Sequence, residues 1–175
     1  MAVMPNLFKL LFSPSGRIGR RDYLIGLALF CVITVLFNLA LKYLGNSMAA
    51  FWLSLPFPFV VLHMTYCVYG KRLHDMGRSF WPVTAFIVGL IAIAIIVMMS
   101  FGGAEYFAGF AEYGRDNPPP PDLAEKLQSE YQARLAEGSG WLYGSMCGLI
   151  GVFSLWLALT KPDPKANAYG PQVGI

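Results

Sequence analysis

Charge is what this chain has least of. Asp, Glu, Lys and Arg make up 13% of its 175 residues, about half the usual share of a soluble domain, which excludes an ordinary water-soluble fold. Cysteine is also scarce: Cys31, Cys67 and Cys147 fall in three separate apolar runs without a Cys-x-x-Cys spacing. That excludes a disulfide framework and leaves them as small buried hydrophobes. Long stretches of alternating apolar and polar residues are missing, which excludes an outer-membrane barrel. Basic residues form no nucleic-acid-binding face, so no nucleic acid is expected as a partner. His63 and His74 are eleven positions apart, roughly 16 Å along a helix, too far to share a metal or haem iron. No metal or other cofactor is expected.

Apolar residues are plentiful, at 56% of the chain and a mean hydropathy of +0.52. Four runs, at about 23–41, 48–69, 80–101 and 141–159, each approach the roughly 20 residues a helix needs to cross a bilayer. In lipid a backbone must satisfy its own hydrogen bonds, so these runs predict helices. The expected fold is therefore an all-α membrane protein with four transmembrane helices in one domain, residues 1–175. Nine of the thirteen basic residues lie in 1–22, 70–79 and the tail from 161, whereas seven of the ten acids lie in 102–139. Under the positive-inside rule both termini and the 70–79 loop face the cytoplasm, and 102–139 forms an outer loop. An even number of spans agrees with that placement.

Smaller signals fill in the connections. Leu7 to Phe12 is too short to span and suits an amphipathic helix lying at the membrane surface. Arg20-Arg21 resembles a twin-arginine export signal, but the apolar run after it is too long and lacks a cleavage site, so it reads as a retained first span. Pro56 and Pro58 should break or kink the second span. In the outer loop, Pro118 to Pro121 reads as an extended spacer. Asp122 and Glu125 then cap an amphipathic helix with Leu123, Leu127, Tyr131 and Leu135 on one face, closed by Gly138. This helix is expected to fold over the rest of the protein rather than to dock a partner. Gly140, Gly144 and Gly148 line one face of the last span, a pattern that lets helices approach closely. Packing within the four-helix unit is expected there, with a homo-oligomer seam as the other arrangement.

The chemistry-bearing residues gather at the surface assigned to the cytoplasm. Between Lys71 and Asp75 four of five side chains are ionisable, an unusual density beside two spans. Arg17, Arg20, Arg21, Arg72 and Arg78 face only Asp22 and Asp75 there. Some arginines should pair with those acids, and the remaining guanidinium groups suit phosphate. Arg72 and Arg78 are the expected phosphate ligands, with Asp75 orienting an arginine or His74. A catalytic reading of His74 and Asp75 has little support, because adjacent side chains seldom face each other and no second acid or metal cluster completes a site. No catalytic residue is assigned. His63, deep in the second span, is expected to be a hydrogen-bonded buried histidine.

Three motifs carry a family resemblance: Gly16-Arg17-Ile18-x-Arg20-Arg21-x-Tyr23, then Arg72-Leu73-His74-Asp75-x-Gly77-Arg78-Ser79-x-Trp81, then Asn167-x-Tyr169-Gly170-Pro171. In that order the chain resembles DUF805, a family of small bacterial inner-membrane proteins of unknown function. It departs from the family at Leu24 and at Phe80-Trp81, where tryptophan and Gly-Trp-Trp are frequent. The resemblance implies a four-helix inner-membrane protein and brings no activity with it. The expected function is a non-enzymatic membrane protein whose Arg17, Arg20, Arg21, Arg72, His74, Asp75, Arg78 and Tyr169 bind an anionic phospholipid headgroup or a phosphorylated ligand. The alternatives are a structural or assembly partner and a small transporter component. The latter would need a polar path, for which Thr34, Asn38 and His63 are few.

Overall fold

The structure is a computed structural model, and it describes residues 6–115 and 117–171. The chain is mostly helical: α1 Leu7–Phe12, α2 Arg20–Leu44, α3 Met48–Ser54, α4 Phe57–Asp75, α5 Trp81–Met98, α6 Ala104–Gly109 and α7 Pro121–Leu159. No strand occurs among the described residues; an isolated bridge pairs Asn167 with Gly170. Four helical stretches, Arg20–Leu44, Met48–Asp75, Trp81–Gly109 and Pro121–Leu159, are long and apolar enough to cross a membrane. Their side chains are mostly exposed within the chain, as expected of helices that face lipid.

Packing falls into two compact units, 1–84 with 154–175, and 85–153. In the first unit the helix breaks between α3 and α4 at Leu55 and Pro56, where the prolines predicted it. Asn6 caps α1 through its side chain, and Leu10 and Leu11 bury one face of that helix. The opposite face is apolar as well, and Phe8 is 73% exposed, as befits a helix lying in an interface. At the other end of α4 the chain turns through a Schellman motif, in which Arg78 N–H donates to Leu73 O at 2.8 Å and Gly77 N–H to His74 O at 3.1 Å. Gly77 sits there at φ +69°, a left-handed conformation that suits glycine. The turn sends Phe80 back against Gly70, where any added Cβ would collide with its ring.

In the second unit, a kink at Phe101 and Gly102, the latter at φ +96°, links α5 to α6. Within 85–153, α7 runs without interruption, so Gly138 does not end the outer-loop helix as expected. Gly138 lies against Phe101, which any added Cβ would strike. That contact explains the glycine without a helix stop. The Leu123, Leu127, Tyr131, Leu135 face is half-buried. Leu127 meets Gly109 and Tyr131 stacks on Tyr106 at 4.8 Å, so this face packs on α6, itself a part of the 102–139 segment. Within 85–153, an added Cβ at Gly140, Gly144 or Gly148 meets nothing within 4 Å. Close approach instead uses Gly89, opposite Leu149.

Candidate functional site

Asp75 is the centre of the first unit's polar cluster. It is 1% exposed and stands at the last position of α4. One carboxylate oxygen accepts from Arg17 Nε at 3.3 Å and Nη2 at 3.2 Å, and the other accepts from Arg72 Nη1. A buried arginine pair sharing one acid carries a surplus positive charge, and such a charge needs further acceptors. Arg72, with no exposed surface, finds them at the end of α7: Nε donates to Leu157 O at 2.9 Å and Nη2 to Thr160 O at 2.6 Å. These are carbonyls without a helical partner, at the end of the helix dipole that favours cations. Arg20 adds Leu159 O at 2.6 Å and Thr160 O at 3.3 Å to the same helix end.

Arg17 finds its acceptors in the tail. Its Nη2 donates to Asp163 O at 2.8 Å and its Nη1 to Lys165 O at 2.8 Å and Gly170 O at 3.4 Å. The tail is anchored in return, with Asp163 N–H donating to Asp75 O at 2.7 Å and Asn167 Nδ2 to His74 O at 3.0 Å. Asp163 also receives Lys165 N–H and Asn167 Nδ2. Those hydrogen bonds hold its carboxyl below the usual range, with the Arg17 and Lys165 charges acting in the same direction. Tyr23 and Tyr69, 5.9 Å apart, fasten α2 and α4 to Ser154 of α7 through hydroxyl hydrogen bonds of 3.2 and 2.8 Å.

This geometry revises the roles expected from the sequence. Arg17, Arg72, His74, Asp75 and Tyr169 do come together, but Arg72 is committed to two carbonyls and Asp75, so it has no face left for phosphate. Arg78 is exposed and lies over the Trp156 ring at 5.2 Å, a cation–π contact. Arg21 is exposed at the start of α2. Asp75 orients arginines rather than His74. The His74 ring lies parallel to Tyr169 at 3.8 Å, and its Nδ1 donates to Gly16 O at 3.2 Å. His63 is hydrogen-bonded but not buried: its Nε2 donates to Phe12 O at 2.9 Å on an exposed face. Cys67 is buried, whereas Cys31 and Cys147 are exposed, since lipid accepts a small apolar side chain as readily as a core does.

Lys71 and Lys9 were not singled out from the sequence. Lys71 is 3% exposed, and its Nζ donates to Lys9 O and Leu10 O, both at 2.7 Å. It thereby caps the end of α1. Beside it opens a cleft of about 380 Å³ whose lining includes Lys9, Arg17, Lys71, Ser13, Ser15 and Asp22. Three cations against one acid give this cleft a net positive lining. An ammonium carries three N–H groups, and the two carbonyls take two of those on Lys71. No group of three or more His, Cys, Asp or Glu residues able to hold a metal occurs among the described residues.

Comparison with known proteins agrees with the motifs. The sequence model of the family described as "Protein of unknown function (DUF805)" matches residues 11–115, a stretch that contains the first two motifs but not Asn167 to Pro171. The chain is 49% identical over 71 residues to the "Uncharacterized protein YiiR" of Escherichia coli strain K12, and equally to that of Escherichia coli O157:H7. That stretch is 39% of this chain and 45% of YiiR, so the likeness spans less than half of either protein. No solved structure matches the chain.

Proposed function

The chain belongs to the DUF805 family, and from that premise we propose that it is a non-enzymatic protein of a bacterial inner membrane that holds an anionic phospholipid headgroup at the α1 cleft. Both termini face the cytoplasm in this reading, supported by the basic residues gathered at 1–22, 70–79 and the tail. The observation that carries the proposal is the cleft itself. Its lining includes Lys9 and Lys71, Arg17 there being held by Asp75 and the tail, and it adjoins a short helix whose Phe8 and Leu7 are exposed. An amphipathic helix seated at headgroup depth would bring a lipid phosphate to those cations, each basic group adding about 1 kcal/mol near an anionic surface.

Native mass spectrometry of the gently purified protein tests this reading. The wild type should retain anionic phospholipid above zwitterionic lipid, Lys9→Gln should retain less, and Arg78→Ala, which is not part of the cleft lining, should match the wild type. Equal retention of both lipid classes by the wild type, or full retention by Lys9→Gln, contradicts it. For orientation, a membrane-impermeant reagent should reach the Arg115 to Glu137 segment in intact cells.

A second reading, self-association through α7, is favoured by the open Gly140, Gly144 and Gly148 face. Gly144→Ile should then convert an oligomer to a monomer in sedimentation, and a monomeric wild type removes this reading.

A further inference from the structure

We propose that the tail from Lys161 to Pro171 is a latch that opens when His74 Nε2 takes up a proton. The inference does not depend on the lipid reading. His74 is 5% exposed, and its Nε2 is the buried side-chain nitrogen without a hydrogen-bond partner among the described residues. Its other nitrogen faces the Gly16 carbonyl, which can only accept, so Nδ1 carries the hydrogen and Nε2 is a bare lone pair. Two rings bound the imidazole. Tyr169 lies flat on it at 3.8 Å with planes 3° apart, and Phe80 makes a T-shaped contact with it at 4.4 Å. Nε2 has no hydrogen-bond partner among the described residues, and although the Tyr169 face can attract an imidazolium, an N–H in the imidazole plane does not point into a ring lying parallel to it.

A proton on Nε2 in the closed state would therefore create a buried cation whose N–H has no acceptor, a costly arrangement. The ionisable groups on the packed elements do not offset it. The charged ones are Lys71, Arg72 and Asp75 on α4, Arg17 before α2, Arg78 in the following loop, and Lys161, Asp163 and Lys165 in the tail; the others are His63, Tyr66, Cys67 and Tyr69 on α4 and Tyr169 in the tail. Cations outnumber the two aspartates. Asp75 is already shared by Arg17 and Arg72, and Asp163 is occupied by Asn167 and the Lys165 amide. Lifting the tail removes Tyr169 and admits water to Nε2, so only the open state binds the proton readily.

The sign follows from linkage. Acid favours the state that binds more protons, here the open one. With an ordinary histidine value of about 6.5 in the open state, the opening equilibrium rises about tenfold between pH 7.5 and pH 5.5. Opening also withdraws the Asp163, Lys165 and Gly170 carbonyls from Arg17, leaving that guanidinium available to an anion.

Hydrogen exchange read by mass spectrometry on the full chain in lipid nanodiscs tests the latch, with labelling times scaled to equal intrinsic exchange at the two pH values. The wild-type tail should lose about tenfold in protection at pH 5.5, while His74→Phe and His74→Gln should show equal protection at both. A wild-type tail with no pH dependence overturns the proposal, as does a tenfold loss that persists without His74. So does a loss abolished by Asp163→Asn, which would make the carboxylate the trigger. Should neither His74 variant fold, Tyr169→Ala decides: its tail should exchange freely at both pH values, and wild-type protection in that variant overturns the latch.

Discussion

Arg17 and Arg72 share Asp75 in the first unit with no more than 1% of any of the three side chains exposed, whereas Arg134 in the second unit reaches Glu105 at 3.3 Å with over half of both side chains in the open. The pairing chemistry is the same and its consequence is opposite. In the open, each partner can return to water, and the pair adds little. In the buried cluster each charge depends on the others and on backbone carbonyls drawn from α7 and the tail, so removing one group strands the rest. The three sequence motifs mark the second kind of site. Their value is in joining segments far apart in sequence, Gly16–Tyr23, Arg72–Trp81 and Asn167–Pro171, around one carboxylate.

Substitutions can break this contrast or sharpen it. Asp75→Ala should have the largest effect, about 3–5 kcal/mol, because two buried guanidinium groups lose their counter-charge; the check is the loss of a monodisperse peak in fluorescence-detected chromatography. Arg72→Lys should cost less, about 1–3 kcal/mol, since an ammonium cannot span Leu157 O, Thr160 O and Asp75 together; thermal unfolding in detergent measures it. Asp163 supplies a pH limb of its own. Its folded value lies below the ordinary 3.8, so its contribution to tail docking is complete above that pH and is lost as pH falls through the lowered value. Tail exchange should show that acid limb in the wild type and not in Asp163→Asn. Arg134→Ala should be smallest, below about 0.5 kcal/mol, with an unfolding midpoint within error of the wild type. A cost at Arg134 equal to that at Arg72 would erase the contrast between the units.

How much of this could be read in the sequence depended on whether the signal was local. Spans are set by composition, and the helix break at Pro56 follows from a missing N–H, so both were legible. The pairing of Asp75 with arginines followed from the shortage of acids near that surface. Acceptors without a side chain were not legible. Arg72 and Arg20 end on carbonyls of Leu157, Leu159 and Thr160, and Arg17 on those of Asp163, Lys165 and Gly170. Any residue provides a carbonyl, so nothing in the amino-acid letters marks those positions. That is why guanidinium groups counted as surplus turned out to be committed. Gly138 was misread for a related reason: a glycine that admits Phe101 and one that ends a helix look alike until the neighbouring helix is known. Lys71 stood in the densest polar run of the chain, but its place beneath α1 depended on a fold of the segment before the first span.

Arg17 and Asp75 act as one unit at the centre of the buried cluster. A double-mutant cycle with Arg17→Met and Asp75→Leu, followed by reversible unfolding in detergent, measures that directly. The predicted result is a coupling of about 1.5–3 kcal/mol, the double variant being more stable than the sum of the single losses implies. Additivity within about 0.3–0.5 kcal/mol would contradict it.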